Sequence, residues 1–230
     1  MKDKRNLRVM GLALVAVFLL GAVGAASASA ALPEFKAPGG FPVKFSAESG
    51  AGTLETVAGR TVTCKKDKAT GEVGSATEAK NIVATLEECT TGAFGITFNC
   101  GTITSNTLKA SPHYLTNPNT STEVGLDFLP VSGTEFAKFT CTSIFGNETL
   151  AVKGSAVGKI TPINKATKSA TLTFAQTNGK QKYEGYFVGA TFTKDTLETT
   201  GTGLMGFGPE QSAIERVYTV LFEKEIEIAA

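Results

Sequence analysis

The chain has no tryptophan and a single histidine in 230 residues. Those two gaps remove most of the chemistry that a small protein can host. A Ser-His-Asp or Cys-His device needs a base that titrates near neutral pH, so it would have to use His113. His113 stands in Ser111-Pro112-His113-Tyr114-Leu115-Thr116-Asn117-Pro118-Asn119, which reads as a loop, and no G-x-S-x-G accompanies it. Sugar-stacking platforms would fall to Tyr114, Tyr183, Tyr186 and Tyr218 in place of tryptophan. Arginine is nearly absent beyond residue 30, where Arg60 and Arg216 stand alone.

Long hydrophobic runs are also missing, with one exception at the N-terminus. Lys2, Lys4, Arg5 and Arg8 precede an apolar run from Val9 to about Ala26, and Ala26-Ser27-Ala28-Ser29-Ala30 supplies A-x-A sites. Residues 1–30 therefore read as an export signal cleaved after Ala30. A permanent anchor fits less well, because the second half of the run is Gly and Ala and gains little from lipid. No cysteine lies near the cleavage region, which argues against a lipoprotein. No later stretch is apolar enough to span a bilayer, so no membrane partner is expected after cleavage.

Without that segment the 22 basic and 21 acidic residues become 18 and 20, a net charge of −2. A near-neutral, arginine-poor surface lacks the field that attracts phosphate backbones, which excludes nucleic acid.

Cys64, Cys89, Cys100 and Cys141 are the only cysteines. An even count behind an export signal reads as two disulfides, with three possible connectivities. Thr90-Thr91-Gly92-Ala93-Phe94-Gly95 suits a tight reversal and favours Cys89–Cys100, leaving Cys64–Cys141. The latter would restrict the unfolded chain by roughly 4 kcal/mol. The spacings are not C-x-x-C, so a metal site is not expected.

What is abundant is threonine, punctuated by glycine and asparagine, with apolar and polar residues alternating. Period two with β-branched enrichment is the strand signal. It recurs at 41–45, 60–64, 81–88, 123–129, 136–141, 149–153 and 170–174. Asn178-Gly179 predicts a type I′ hairpin turn between 170–174 and a run ending at Phe187. Between Pro209 and Phe222 the spacing of Ile214, Val217, Tyr218 and Leu221 is helical, but Thr219, Val220 and the alternation of Ile226 with Ile228 favour strands over 216–222 and 224–228. The expected organisation is an extended leader over 31–40, then a single all-β domain over 41–230. Its expected form is an antiparallel β-sandwich or flattened barrel with two disulfides. The cysteine-free part beyond about residue 145 has room for a second sheet system. Val62, Ile82, Leu86, Val124, Leu126, Phe128, Phe139, Val152 and Phe174 are the expected core.

Ser49-Gly50-Ala51-Gly52-Thr53-Leu54-Glu55-Thr56 with Thr61-Val62-Thr63-Cys64 resembles the opening of an uncharacterised family of secreted bacterial β-rich proteins with four cysteines. Cys89, Cys100 near Gly101-Thr102-Ile103, Phe139-Thr140-Cys141, Lys153 to Pro162 and Asn178-Gly179-Lys180-Gln181 are similar to its later landmarks. The resemblance implies secretion and a β fold, and brings no activity or functional residue with it.

Gly201-Thr202-Gly203-Leu204-Met205-Gly206 spells G-x-G-x-x-G, but a polar run precedes it and Phe207-Gly208-Pro209 follows, where a dinucleotide site needs a buried strand and a helix. Gly154-Ser155-Ala156-Val157-Gly158-Lys159-Ile160 is one residue short of a P-loop and ends in Ile instead of a hydroxyl. Glu223, Glu225 and Glu227 alternate on a terminal strand, which reads as a solvated face before a Ca²⁺ site. Glu87 and Glu88 adjoin and so point to opposite faces of a strand. No cofactor is expected. The function expected from this balance is a secreted or envelope-associated, non-catalytic module that binds a surface polymer or partner protein. The alternatives are a carbohydrate-active hydrolase with a carboxylate pair, supplied by glutamates since only Asp67, Asp127 and Asp195 are available, and an inhibitor inserting the 89–100 loop.

Overall fold

A computed structural model describes residues 31–93, 95–120, 122–204 and 206–230; the expected export signal over 1–30 lies outside them. Among the described residues there is no helix, and every strand pairing is antiparallel. Alternation of inward apolar and outward polar residues forces each segment to bury one face, and closing the sheet on itself satisfies all of them together.

The chain passes up and down eight times. The first stave is β2 (Val43–Ser49) with β3 (Gly52–Thr56), and the second is β4 (Thr61–Cys64) with β5 (Lys66–Val73). The third is the unbroken β6 (Ala79–Ala93), and the fourth is β7 (Ile96–Thr104) with β8 (Leu108–Tyr114). Next come β9 (Val124–Pro130) with β10 (Glu135–Ser143), then β11 (Gly146–Gly154) with β12 (Ala156–Thr161). The seventh stave joins β13 (Thr167–Phe174) and β18 (Leu197–Gly203), and the eighth is β19 (Phe207–Ala229). Each stave pairs with the next. The eighth returns to the first, with Phe222 opposite Phe45 and Ser212 opposite Thr56. The result is a closed eight-stranded up-and-down barrel, in which most staves break midway to make an upper and a lower storey.

The seventh stave leaves the barrel between its halves as an excursion of four short strands: β14 (Gln176–Thr177), β15 (Lys180–Gln181), β16 (Gly185–Val188) and β17 (Thr191–Lys194). Asn178 and Gly179 do take positive φ values of 52° and 74°, but the hairpin they turn is only β14 against β15. The expected long hairpin from 170 to 187 does not form, because β13 is already held on both sides by β12 and β19. A Cβ on Gly179 would lie 2.2 Å from the Thr56 carbonyl carbon, so only glycine lets the turn seat against the first stave. Gln181 fills the gap the excursion leaves. Its buried amide accepts from the Ile214 N–H (2.9 Å) and donates to the Ile214 and Ala175 carbonyls (2.9 and 2.8 Å), replacing lost ladder bonds.

The leader is more than a spacer: β1 (Glu34–Lys36) pairs with the end of β19, and Phe35 is buried at the upper end of the barrel. The two strands expected near the C-terminus are one, β19. Of the expected core, Leu86 and Phe139 are partly buried and the other seven residues are buried.

The disulfides are Cys64–Cys89 and Cys100–Cys141, so the expected pairs Cys89–Cys100 and Cys64–Cys141 are wrong. The reversal between β6 and β7 is where it was expected, but β4 rather than β7 brings a cysteine opposite Cys89. The β4–β6 register places Thr63 opposite Thr90, hence Cys64 opposite Cys89, with Cα atoms 4.0 Å apart. On the other side an irregular register sets Cys89 opposite Gly101, while Thr142 opposite Asn99 brings Cys141 to Cys100 at 3.9 Å. All four cysteines are buried with Val62, Phe98, Ile103 and Leu150 in the core of the lower storey.

Candidate functional site

Eight strands enclose an interior that side chains just fill or that holds one small ligand. Here it is not filled. Phe45 packs edge-on to Phe222, and Phe174 meets both Phe128 and Tyr218, but a cavity of about 140 Å³ persists along the barrel axis. Its wall is apolar, and it runs from Phe35 and Ile228 at the upper end to Leu54 and Val62 below. Alanines at 47, 69, 79, 84 and 110 line it where larger residues would close it.

Besides Thr53 and Ser105, the polar residues on this wall are Asp67, Arg216 and Tyr218, which form a cluster. Asp67 on β5 is 1% exposed; its Oδ2 accepts from Arg216 Nη1 at 2.8 Å and from the Tyr218 hydroxyl. Asp67 Oδ1 and Arg216 Nε have no partner among the described residues. Burial pushes the Asp67 carboxyl above its ordinary value despite the opposing pull of Tyr218 and Arg216, and burial pushes the Tyr218 hydroxyl well above its own. Arg216 fits because the facing residue is Gly52, where a Cβ would stand 2.4 Å from its Nε.

A second, shallower pocket of about 250 Å³ lies outside the upper storey, lined by Glu78, Lys109, Ser111, Asp127, Tyr186 and Asp195 among others. His113 is on strand β8, not in a loop: Leu108, Ala110 and Tyr114 face inward, so Ser111 and His113 face outward beside this pocket. Its Nε2 lies 2.9 Å from Ser111 Oγ and its ring stacks on Tyr186, with centroids 3.9 Å apart. Burial holds the imidazole below its ordinary pKa, against the pull of Asp195. Asp127, 3% exposed, is driven up to about 7 by burial and then by the Asp195 charge.

The structure brings together residues that the sequence did not single out, above all Asp67, Arg216 and Tyr218 in the interior and Asp127 with Asp195 outside. The residues weighed as acidic pairs stay apart from both: Glu87 and Glu88 are ion-paired with Lys66 and Lys65, at 3.3 and 2.7 Å. No cluster of three potential metal ligands occurs among the described residues. The G-x-G-x-x-G stretch belongs to β18 and the turn before β19, where a Cβ on Gly201 would strike the Phe207 ring at 2.3 Å. Comparison with family models, curated proteins and solved structures found no match to this chain.

Proposed function

We propose that this is an exported, non-catalytic binding protein whose barrel encloses one small, largely apolar molecule. The observation that carries the proposal is the apolar cavity of about 140 Å³ in a closed barrel. An apolar void of that size matches those that stay dry and take up a single aromatic ring. Left empty it costs on the order of 3 kcal/mol, which an occupant would recover. A polymer cannot enter an enclosed interior, so the ligand class narrows from the surface polymer expected of the sequence to a single ring or short hydrocarbon chain. Asp67 and Arg216 give that molecule one polar contact and so one orientation. The disulfides belong to an oxidising compartment, in keeping with export.

Thermal unfolding with benzene, indole and short-chain alcohols tests the proposal, alongside NMR shifts of the interior methyl groups. Ligand is expected to raise the Tm and move the methyls of Ile82, Leu126 and Ile160, which line the cavity. Ala110→Leu fills the void and is expected to abolish both responses. No Tm or methyl response across the panel overturns the proposal.

Asp127 and Asp195 support a second function. Both carboxyls line the outer pocket, and a carboxylic acid that keeps its proton near neutrality beside a second carboxyl is the pairing used in glycoside hydrolysis. Glycan release from a polysaccharide panel, lost in both Asp127→Asn and Asp195→Asn, would establish it in place of the binding protein.

A further inference from the structure

The two ends of the barrel differ in chemistry. Four hairpin turns make the lower rim, and each reads as two apolar residues followed by glycine: Val57-Ala58-Gly59, Ala93-Phe94-Gly95, Ile144-Phe145-Gly146 and Leu204-Met205-Gly206. Positive φ at Gly59, Gly95 and Gly146 closes three of these turns, and Val57, Ile144, Phe145 and Leu204 stand exposed among the described residues of the rim. Ile144 is 93% exposed, Phe145 61%, Leu204 52% and Val57 45%. Turn positions ordinarily carry polar residues, and water gains nothing from these side chains. Exposed apolar side chains on three turns of one rim are a surface, not scatter.

The wall above these tips is nearly uncharged. No charged residue occurs over 89–108, 139–147 or 199–209, and 56–64 contains only Arg60, which is paired with Glu210 at 3.2 Å. Threonine and asparagine take the outward positions instead, in register from strand to strand. Thr63 stands opposite Thr90, Asn99 opposite both Thr90 and Thr142, and Thr140 opposite Thr149. From the rim upward the surface therefore passes from apolar tips, through a collar of hydroxyls and amides, to the Lys- and Glu-bearing upper storey.

We propose that the lower rim docks on the surface of a lipid bilayer, Val57, Ile144, Phe145 and Leu204 entering the hydrocarbon boundary and the uncharged collar lying among the headgroups. A bilayer is layered in the same order, from hydrocarbon to uncharged and zwitterionic polar groups to water. It is also flat and laterally uniform, which suits tips on separate turns of one rim better than a protein partner approaching from one side would. The absence of free charge at the rim selects zwitterionic lipid and excludes an electrostatic attraction to anionic lipid. The expectation that membranes are not partners rested on spanning segments, and a surface contact needs none. The inference is independent of what the cavity holds.

The missing tryptophan makes the test clean. Phe145→Trp places the only indole of the protein at a tip, and Leu32→Trp places it at an exposed site beside β1 at the other end. With phosphatidylcholine vesicles, the indole at 145 is expected to shift its emission to the blue and be quenched by brominated acyl chains, while the indole at 32 does neither. Flotation of the wild-type protein is expected with phosphatidylcholine alone and to persist at about 0.5 M salt. Ile144→Ser, Phe145→Ser and Leu204→Ser should each weaken partitioning by about tenfold. Absence of flotation, flotation only with anionic lipid and only at low salt, or tips buried in a dimer by sedimentation velocity without lipid would each overturn the proposal.

Discussion

Asp67 sits in a place where a carboxylate is expensive. It is held by Arg216 and Tyr218 in an apolar interior, and removing one partner strands the other. Asp67→Asn and Arg216→Met are each expected to cost about 3–5 kcal/mol in urea unfolding, and Asp67→Leu combined with Arg216→Met distinctly less than the sum. Asp127 makes a pH prediction. Its folded carboxyl holds a proton up to about pH 7, whereas the ordinary value is 3.8, so folding takes up a proton between those limits. Stability is therefore expected to fall as pH rises from about 4 to 7, by up to about 4 kcal/mol from this group. Asp67 acts in the same sense; Glu88 and Glu123, held low by Lys65 and Lys159, act in the opposite one but from the surface. Unfolding midpoints across pH for wild type and Asp127→Asn check this: the variant should lose most of the slope and be the more stable at pH 8. None of these roles was legible in the sequence. A lone aspartate on an alternating strand carries the same letter whether its face is covered or open. Scarcity was the one usable signal, since all three aspartates beyond residue 30 and one of the two arginines lie at these two sites.

At the scale of strands, period two located nearly every stave, because alternation reports the buried face directly. Which strand lies beside which was less accessible. Cys89 was assigned to its hairpin neighbour, yet β6 has two neighbours, and local sequence cannot say which one presents the sulfur. The disulfides fall where the lower ring is thinly bonded. β7 meets β10 at one registered pair and β4 meets β6 at two. The closed loops span 25 and 41 residues, worth about 3.5 and 4 kcal/mol in the chain-entropy model. Replacing Cys100 and Cys141 by alanine is expected to cost more than replacing Cys64 and Cys89. Hydrogen exchange should then rise in the lower storey around β7 and β10 before it rises in β13. Gln181→Leu tests the repair of the seventh stave: it orphans the N–H and carbonyl of Ile214 and should cost about 2 kcal/mol or more.

The whole molecule depends on a contact between its first and last staves, and no local pattern announces it. β2 and β19 are separated by most of the chain, so the barrel closes only when β19 is present. Residues 31–161, six of the eight staves, are therefore expected to remain unfolded by circular dichroism and NMR. The complete chain should refold slowly, as long-range β topologies do. Sandwich and flattened barrel were equal expectations because both bury one face of each strand; ring closure distinguishes them, and it is a property of the ends of the chain.

The short pairing of β1 with β19 sets how the molecule bears a load. Glu34 lies opposite Ala229 and Lys36 opposite Glu227, with the two strands antiparallel, so the chain enters and leaves side by side at the upper end. Tension applied between residues 34 and 229 pulls these strands apart one rung at a time, the weakest way to stress a sheet. The same tension applied between residues 34 and 207 runs along β19 and must shear it from its neighbours all at once. A barrel tethered through its upper end thus peels at low force, while one gripped across its length resists.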